Sequence, residues 1–180
     1  MKCISLMQPF ASFLVSGKKL YETRKWAPKH RGQLAIHASR RTTEEILTYA
    51  RREPYASVIK ELGYKDIYSM PRGLVLGYVT LLDCIPATVL DLFKLSEWEL
   101  SVGDFREGRF AWKLENPTPF PTPFPALGRP SLYDIQLPQE PSGHVFLPFL
   151  PRELLPDNSW PQERWTLTED EHEEKDREIK

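Results

Sequence analysis

The chain of 180 residues carries 24 Lys and Arg against 25 Asp and Glu, a net charge of −1, with 41% hydrophobic and 12% aromatic residues. That length holds one domain with a real core and argues against two full ones. No apolar run is long enough to span a bilayer, and two cysteines, Cys3 and Cys84, exclude a disulfide framework and a paired-cysteine zinc site.

The start reads as a short strand from Cys3 to Met7. Gln8 and Pro9 interrupt the apolar stretch at once, so the layout is not that of a signal peptide. A reducing, cytoplasm-like compartment is expected, with the nucleus open for a eukaryotic source. Pro9 suits the first turn of a helix, where its missing N–H costs nothing. Phe10, Phe13 and Leu14 supply helical spacing, and Gly17 closes the helix. Tyr21 to Trp26 and Gln33 to Ala38 predict two strands joined by a basic connector, Ala27-Pro28-Lys29-His30-Arg31-Gly32. Thr42-Thr43-Glu44-Glu45 opens a second helix running to about Arg52, with Tyr55 to Leu62 as its continuation past Pro54.

Gly73 to Ile85 is nearly all apolar and predicts a central strand, in which Gly77 marks a bend or a close backbone approach. Residues 87–100 read as helical or irregular. Gly108 to Glu115 alternates as a half-buried strand, and Leu132 to Leu137 is a shorter candidate. Twelve of the 17 prolines lie between Pro117 and Pro161. Prolines at alternate positions from 117 to 125 exclude a helix or central strand and predict an extended polyproline-like segment, held to the domain through Phe120 and Phe124. The expected organisation is a domain at 1–137, a Pro-rich extension at 138–165 and an acidic, flexible tail at 166–180.

Charge is unevenly spread. Residues 1–52 hold eleven bases and three acids, a local excess of +8, whereas the last 18 residues hold eight acids and four bases. A basic segment favours an anionic ligand, although a solvated basic surface has the same composition. Within it lies Gly17-Lys18-Lys19-Leu20-Tyr21-Glu22-Thr23-Arg24-Lys25-Trp26. On a strand, the period of two puts Glu22, Arg24 and Trp26 on one face. A carboxylate, a guanidinium and an indole so placed suit a planar polar ligand with a phosphate nearby. The plain alternative is a surface salt bridge worth less than ~1 kcal/mol.

The longer string is more specific. Ile4 to Ser12, Gly17-x-Lys19-x-x-Glu22-x-Arg24-x-Trp26, His30-Arg31-Gly32-x-Leu34 and Ala38-Ser39 closely resemble the ASCH domain of the PUA-like superfamily. Gly73 to Cys84, Phe110 to Pro117 and Phe124-Pro125-x-x-Gly128-x-Pro130 extend the resemblance over roughly residues 3–137. It implies an α+β fold, a small β-barrel of about five to six strands flanked by helices, with a cleft at its mouth lined by the motif. It also implies binding of RNA, DNA or a modified nucleotide. Gln8, Lys19, Tyr21, Glu22, Arg24, Trp26, His30, Arg31 and Ser39 are the expected ligand contacts, and Lys29, Arg40 and Arg41 the phosphate contacts.

Some relatives are enzymes. The amidohydrolases that deacetylate N4-acetylcytidine use a lysine, a threonine and a glutamate. Their lysine falls at Lys19, but their threonine falls at Glu22, and the central strand offers no carboxylate before Asp83. Other relatives are described as ribonucleases, for which Lys19, Tyr21 and Arg24 are the counterparts. Recognition is therefore expected ahead of catalysis, with Lys19 and Glu22 as the catalytic candidates if there is turnover. A third reading is a protein-interaction module using the Pro-rich segment and acidic tail. His30 and His37 lack the spacing for a metal site, and no metal or cofactor is expected. His30 is a candidate to contact phosphate or cap a loop, and His37 reads as a satisfied barrel residue.

Overall fold

The computed structural model describes residues 1–138; the expected extension beyond Pro138 and the tail at 166–180 lie outside the described residues. Strands β1 (Lys2–Leu6), β2 (Tyr21–Arg24), β3 (Gly32–Ala38), β4 (Leu74–Pro86), β5 (Phe110–Pro125) and β6 (Leu132–Asp134) form one sheet in the order β2-β5-β4-β3-β1-β6. The β1–β3 pair is parallel, with Ser5 opposite His37; the other pairs are antiparallel. A parallel pair needs a crossover, and the chain supplies it with α1 (Phe10–Val15) and β2. The result is the α+β curled sheet with flanking helices that the resemblance implies.

Local chemistry explains the first elements. Helix α1 follows Pro9 and buries Ala11 to Val15, then stops at Gly17, whose φ of +75° is the left-handed closure that glycine adopts freely. Its amide donates to the carbonyl of Leu14 at 3.1 Å. Helix α2 (Glu44–Ala50) is capped by the Thr43 side chain, which accepts from the Ile46 amide, and carries Glu44 and Glu45 in its first turn. Tyr55 to Leu62 does not continue it: α3 (Tyr55–Glu61) is a separate helix begun after Pro54. Residues 87–100 prove to be both helical and irregular, with two 3-10 turns before α4 (Glu97–Val102).

The proline-rich stretch differs from expectation. It is the second half of β5, pairing with β4 at Tyr78–Thr118, Gly77–Pro119, Val75–Phe124 and Leu74–Pro125, with irregular register between. Strand β2 pairs with β5 only over residues 110–113, so among the described residues the outer side of 117–125 has no strand partner. All five prolines share one parity, and the paired side must keep its donors, so the missing N–H groups fall on that outer side. Phe120 and Phe124 do pack on the sheet, as expected, with Phe120 5.9 Å from the Tyr78 ring. Gly77 marks the close approach: a Cβ there would stand 2.7 Å from Pro119 Cα and press on the Thr118 carbonyl.

Three apolar clusters organise the interior. Ile4, Leu6, Leu34, Ile36, Leu76, Val79, Leu81, Trp112 and Leu114 meet α1 on one face of the sheet. Cys3, Ala35, Val75 and Tyr133 lie in a second cluster, under Phe120 and Phe124. Strands β1 and β3 send alternate residues to these two clusters, so both of their faces are buried. Phe13, Ile46, Leu47, Tyr55, Ile59, Ile67 and Val102 join the four helices in a third.

Candidate functional site

Strand β2 sorts the motif by parity. Glu22 lies opposite Trp112 and Arg24 opposite Phe110, on the side of the cluster that includes Trp112, Phe110 and Trp26. Tyr21, opposite Lys113, takes the other side. The Arg24 Nε stands 2.8 Å from Glu22 Oε1. This is an ion pair rather than an aligned hydrogen bond, since Nε makes no hydrogen bond. Arg24 Nη2 donates to the Ser5 carbonyl at 3.3 Å. The adjacent Leu6 carbonyl accepts from Ser39 on the β3 side, so the Ser5 carbonyl points the other way, where the β1–β6 pairing has ended at Ile4. Arg24 thus caps the open end of β1 and ties the first strand of the sheet order to the fifth. Trp26 packs edge-on against Trp112, with ring centroids 4.7 Å apart, and its carbonyl accepts from the Trp112 indole at 3.2 Å.

Lys19 is placed differently from the expectation of a ligand contact. It is 2% exposed, and its Nζ donates to the Val102 carbonyl at the end of α4 at 2.6 Å. Burial lowers its pKa from the ordinary lysine value; the charges of Glu22 and Glu99 oppose that shift, and Arg24 adds to it. Glu99 is the residue that sequence reasoning missed. It is buried, and its two carboxylate oxygens accept the amides of Leu20 at 3.0 Å and Tyr21 at 2.9 Å. The Trp98 indole donates to the Lys18 carbonyl. Helix α4 therefore clamps residues 18–21 through the Trp98 and Glu99 side chains and the Val102 carbonyl. Ser96-x-x-Glu99 is a legible helix start, and Ser96 does cap the Glu99 amide at 3.1 Å. The partner of the carboxylate, nearly eighty positions away in sequence, carries no local signal.

Gln8 is fully buried. Its Nε2 donates to Ser12 Oγ at 2.9 Å and to the Pro71 carbonyl at 2.7 Å, while Oε1 accepts the Ser12 amide at 3.1 Å. It brackets the start of α1 against the 71–73 segment. The expected basic contacts fall into two groups, because β3 is seven residues long and spans roughly 20 Å. Lys29, His30 and Arg31 stand before it. His30 Nε2 donates to the Gln33 carbonyl at 2.9 Å, and Arg31 donates to Pro28 and His30 carbonyls and lies 3.5 Å from Asp83. Ser39, Arg40 and Arg41 stand after it, at the end of β1 that Arg24 caps. Ser39 Oγ accepts the Arg41 amide at 3.0 Å. Lys2 and Lys18 are paired with Asp134 and Glu61, both at 2.7 Å, so the local charge excess is smaller than the string of bases suggests.

A hollow of about 340 Å³ opens between Leu20, Tyr21, Lys113, Glu115, Asn116 and Pro117. Of the motif it takes in Leu20 and Tyr21, not Glu22, Arg24 or Trp26. Behind the sheet lies a buried polar chain. Cys3 Sγ approaches Tyr133 Oη at 3.3 Å, Tyr133 Oη approaches Ser5 Oγ at 3.1 Å, and Ser5 Oγ lies 3.0 Å from His37 Nδ1. His37 Nε2 donates to the Ala126 carbonyl at 3.1 Å. A carbonyl only accepts, so Nε2 carries the proton and neutral His37 accepts from Ser5 at Nδ1. Burial lowers the His37 pKa, the Ala126 bond opposing it and Arg40 adding to it. Burial also pushes the Cys3 thiol up to about 11 and the Tyr133 hydroxyl up to about 12.

Among the described residues no three His, Cys, Asp or Glu side chains cluster as metal ligands. No described helix is long and apolar enough to cross a membrane. Residues 4–124 match the ASCH domain family. Activating signal cointegrator 1 from Mus musculus and from Homo sapiens are each 28% identical to the chain over 134 residues, 74% of its length. The chain spans only 22% of either relative. Among solved structures, ASCH from Zymomonas mobilis superposes with a TM-score of 0.46 at 21% identity, covering 75% of this chain and 87% of that one. A point mutant of the same Zymomonas mobilis protein gives a TM-score of 0.46 at 21% identity, with 75% and 89% covered.

Proposed function

The chain belongs to the ASCH domain family, and we propose that it binds single-stranded nucleic acid or a modified nucleotide at the end of β1, where Arg24 caps the Ser5 carbonyl and Ser39, Arg40 and Arg41 follow the neighbouring β3. The observation that carries this reading is the posture of Arg24. Its side chain is 30% exposed while its partner Glu22 is 10% exposed. Glu22 and the Ser5 carbonyl engage Nε and Nη2, leaving other N–H groups of the fork for a ligand. A guanidinium so anchored is pre-oriented and loses little freedom on binding a phosphate or a base edge. Trp26 beside it adds an aromatic edge, and exposed Arg41 adds positive charge.

The test is fluorescence anisotropy with short single-stranded RNA and DNA at two salt concentrations. Arg24→Lys keeps the charge but loses the planar fork, and should weaken binding about tenfold. Replacing Arg40 and Arg41 together by alanine should lower the log–log salt slope by ~1.4, from two phosphates at ~0.7 each. Failure to bind at low salt, or affinity untouched by both changes, would overturn the proposal.

A further inference from the structure

Beyond the end of β1, the side chains continue in an unbroken series. Arg40 lies against Gly73, where an added Cβ would stand 2.7 Å from Arg40 Nε. Arg72 directly precedes Gly73 in the chain, and its Nη2 donates to the Ile67 carbonyl at 3.2 Å. Its Nε is buried without a hydrogen-bond partner. Tyr68 comes next. It is 56% exposed. Arg51, at the end of α2, donates to the Tyr68 hydroxyl at 2.8 Å and holds its guanidinium 5.9 Å from the ring centroid. Arg52 beside it is exposed.

Arg51 and Arg72 spend their described contacts on an aromatic hydroxyl and a backbone carbonyl. Asp66, two positions before Tyr68, is occupied by the amides of Tyr68 and Ser69, both at 2.9 Å, and Glu53, two positions after Arg51, accepts the Ser57 amide at 3.2 Å. Glu44 and Glu45 lie at the other end of α2 from Arg51. A guanidinium-backed ring facing solvent is what a flexible polyanion with stackable bases requires.

Building on the site proposed at Arg24, we propose that Arg40, Arg72, Tyr68 and Arg51 form a track that carries the neighbouring nucleotides of a single-stranded RNA, with Tyr68 as a stacking platform. The ligand is then a strand rather than a lone nucleotide. The series has a direction, from the end of β1 across Gly73 to the end of α2. Affinity grows with strand length until the track is filled, and the added affinity is salt-dependent because each further phosphate meets an arginine.

The experiment compares unstructured RNA of about 4 and about 12 nucleotides, a range within single-strand site sizes. Wild type, Tyr68→Ala, Tyr68→Phe, Arg51→Ala and Arg24→Lys are measured by anisotropy, with thermal unfolding as the folding control. Tyr68→Ala should weaken the longer strand about tenfold, as loss of one stacked base does, and leave the shorter one unchanged. Tyr68→Phe keeps the ring and should bind like wild type. Arg51→Ala should lower the salt slope for the longer strand by ~0.7. Equal affinity for both lengths, with Tyr68→Ala and Arg51→Ala silent while Arg24→Lys weakens binding, would overturn the track and leave the Arg24 site standing. Absence of binding by either length would overturn both.

Discussion

Replacing Lys19 by methionine tests whether the motif lysine is scaffold or ligand contact. Methionine keeps the length of the chain and fills the same space, so no cavity confuses the result. What is lost is the 2.6 Å bond to the Val102 carbonyl and the positive charge near Glu22 and Glu99. A hydrogen bond involving a charged group is worth ~1.5–3 kcal/mol, and the buried carbonyl left behind adds a desolvation cost. Relief of the ammonium's own burial offsets part of this, so a net loss of ~2–3 kcal/mol is expected. At roughly 3 °C per kcal/mol for a chain of this size, Tm should fall by about 6–9 °C. RNA affinity measured well below that Tm should stay within about threefold of wild type, because the side chain is 2% exposed and its charge faces protein. A variant with unchanged Tm and abolished binding would refute the clamp and make Lys19 a ligand contact.

Gly77→Ala should destabilise the protein by ~1–3 kcal/mol through overpacking, because its Cβ would collide with the Thr118 carbonyl and Pro119 Cα; urea midpoints will show it. Stability should fall as pH drops below the free imidazole value near 6.5, since His37 is held neutral in the fold while the unfolded chain takes up the proton there. Urea titrations between about pH 7 and pH 4.5 should show a shallower acid limb in His37→Gln than in wild type; identical limbs would mean that His37 titrates normally. Cys3, buried with its thiol raised to about 11, should resist iodoacetamide at neutral pH in the native state and react only on unfolding, as mass spectrometry of the labelled peptides can report.

Much of the fold is legible because its signals are local. The short strand-like runs of β1 to β3, the apolar run of β4, the Thr43 cap and the glycine stop at Gly17 each announce themselves within a few residues. The proline stretch misleads for a physical reason. Proline forbids a ladder bond on its own N–H side only, and where that side faces no strand the residue can stay in the sheet. The motif is legible as a string but not as a site. Period two correctly joins Glu22 and Arg24, yet the same rule sends Tyr21 to the opposite face. Lys19 lies before the strand and turns toward α4. Gln8 reads from the resemblance as a ligand contact, and its bond to the Pro71 carbonyl spans 63 positions, a separation no window of sequence encodes. The basic contacts look contiguous in the string because length along a strand is hidden; β3 holds His30 and Arg31 well away from Arg40 and Arg41.

The alternating prolines of β5 also bear on how one molecule meets another. An exposed strand with free amides and carbonyls invites a second chain to add to it, and this is the usual route to edge-to-edge association. Along 117–125 every outward donor position is a proline, so an approaching strand finds acceptors but no donors and cannot complete a ladder. The long β5 can therefore reach past its β2 partner without becoming adhesive. Capture of an extended peptide by strand addition is closed along this edge.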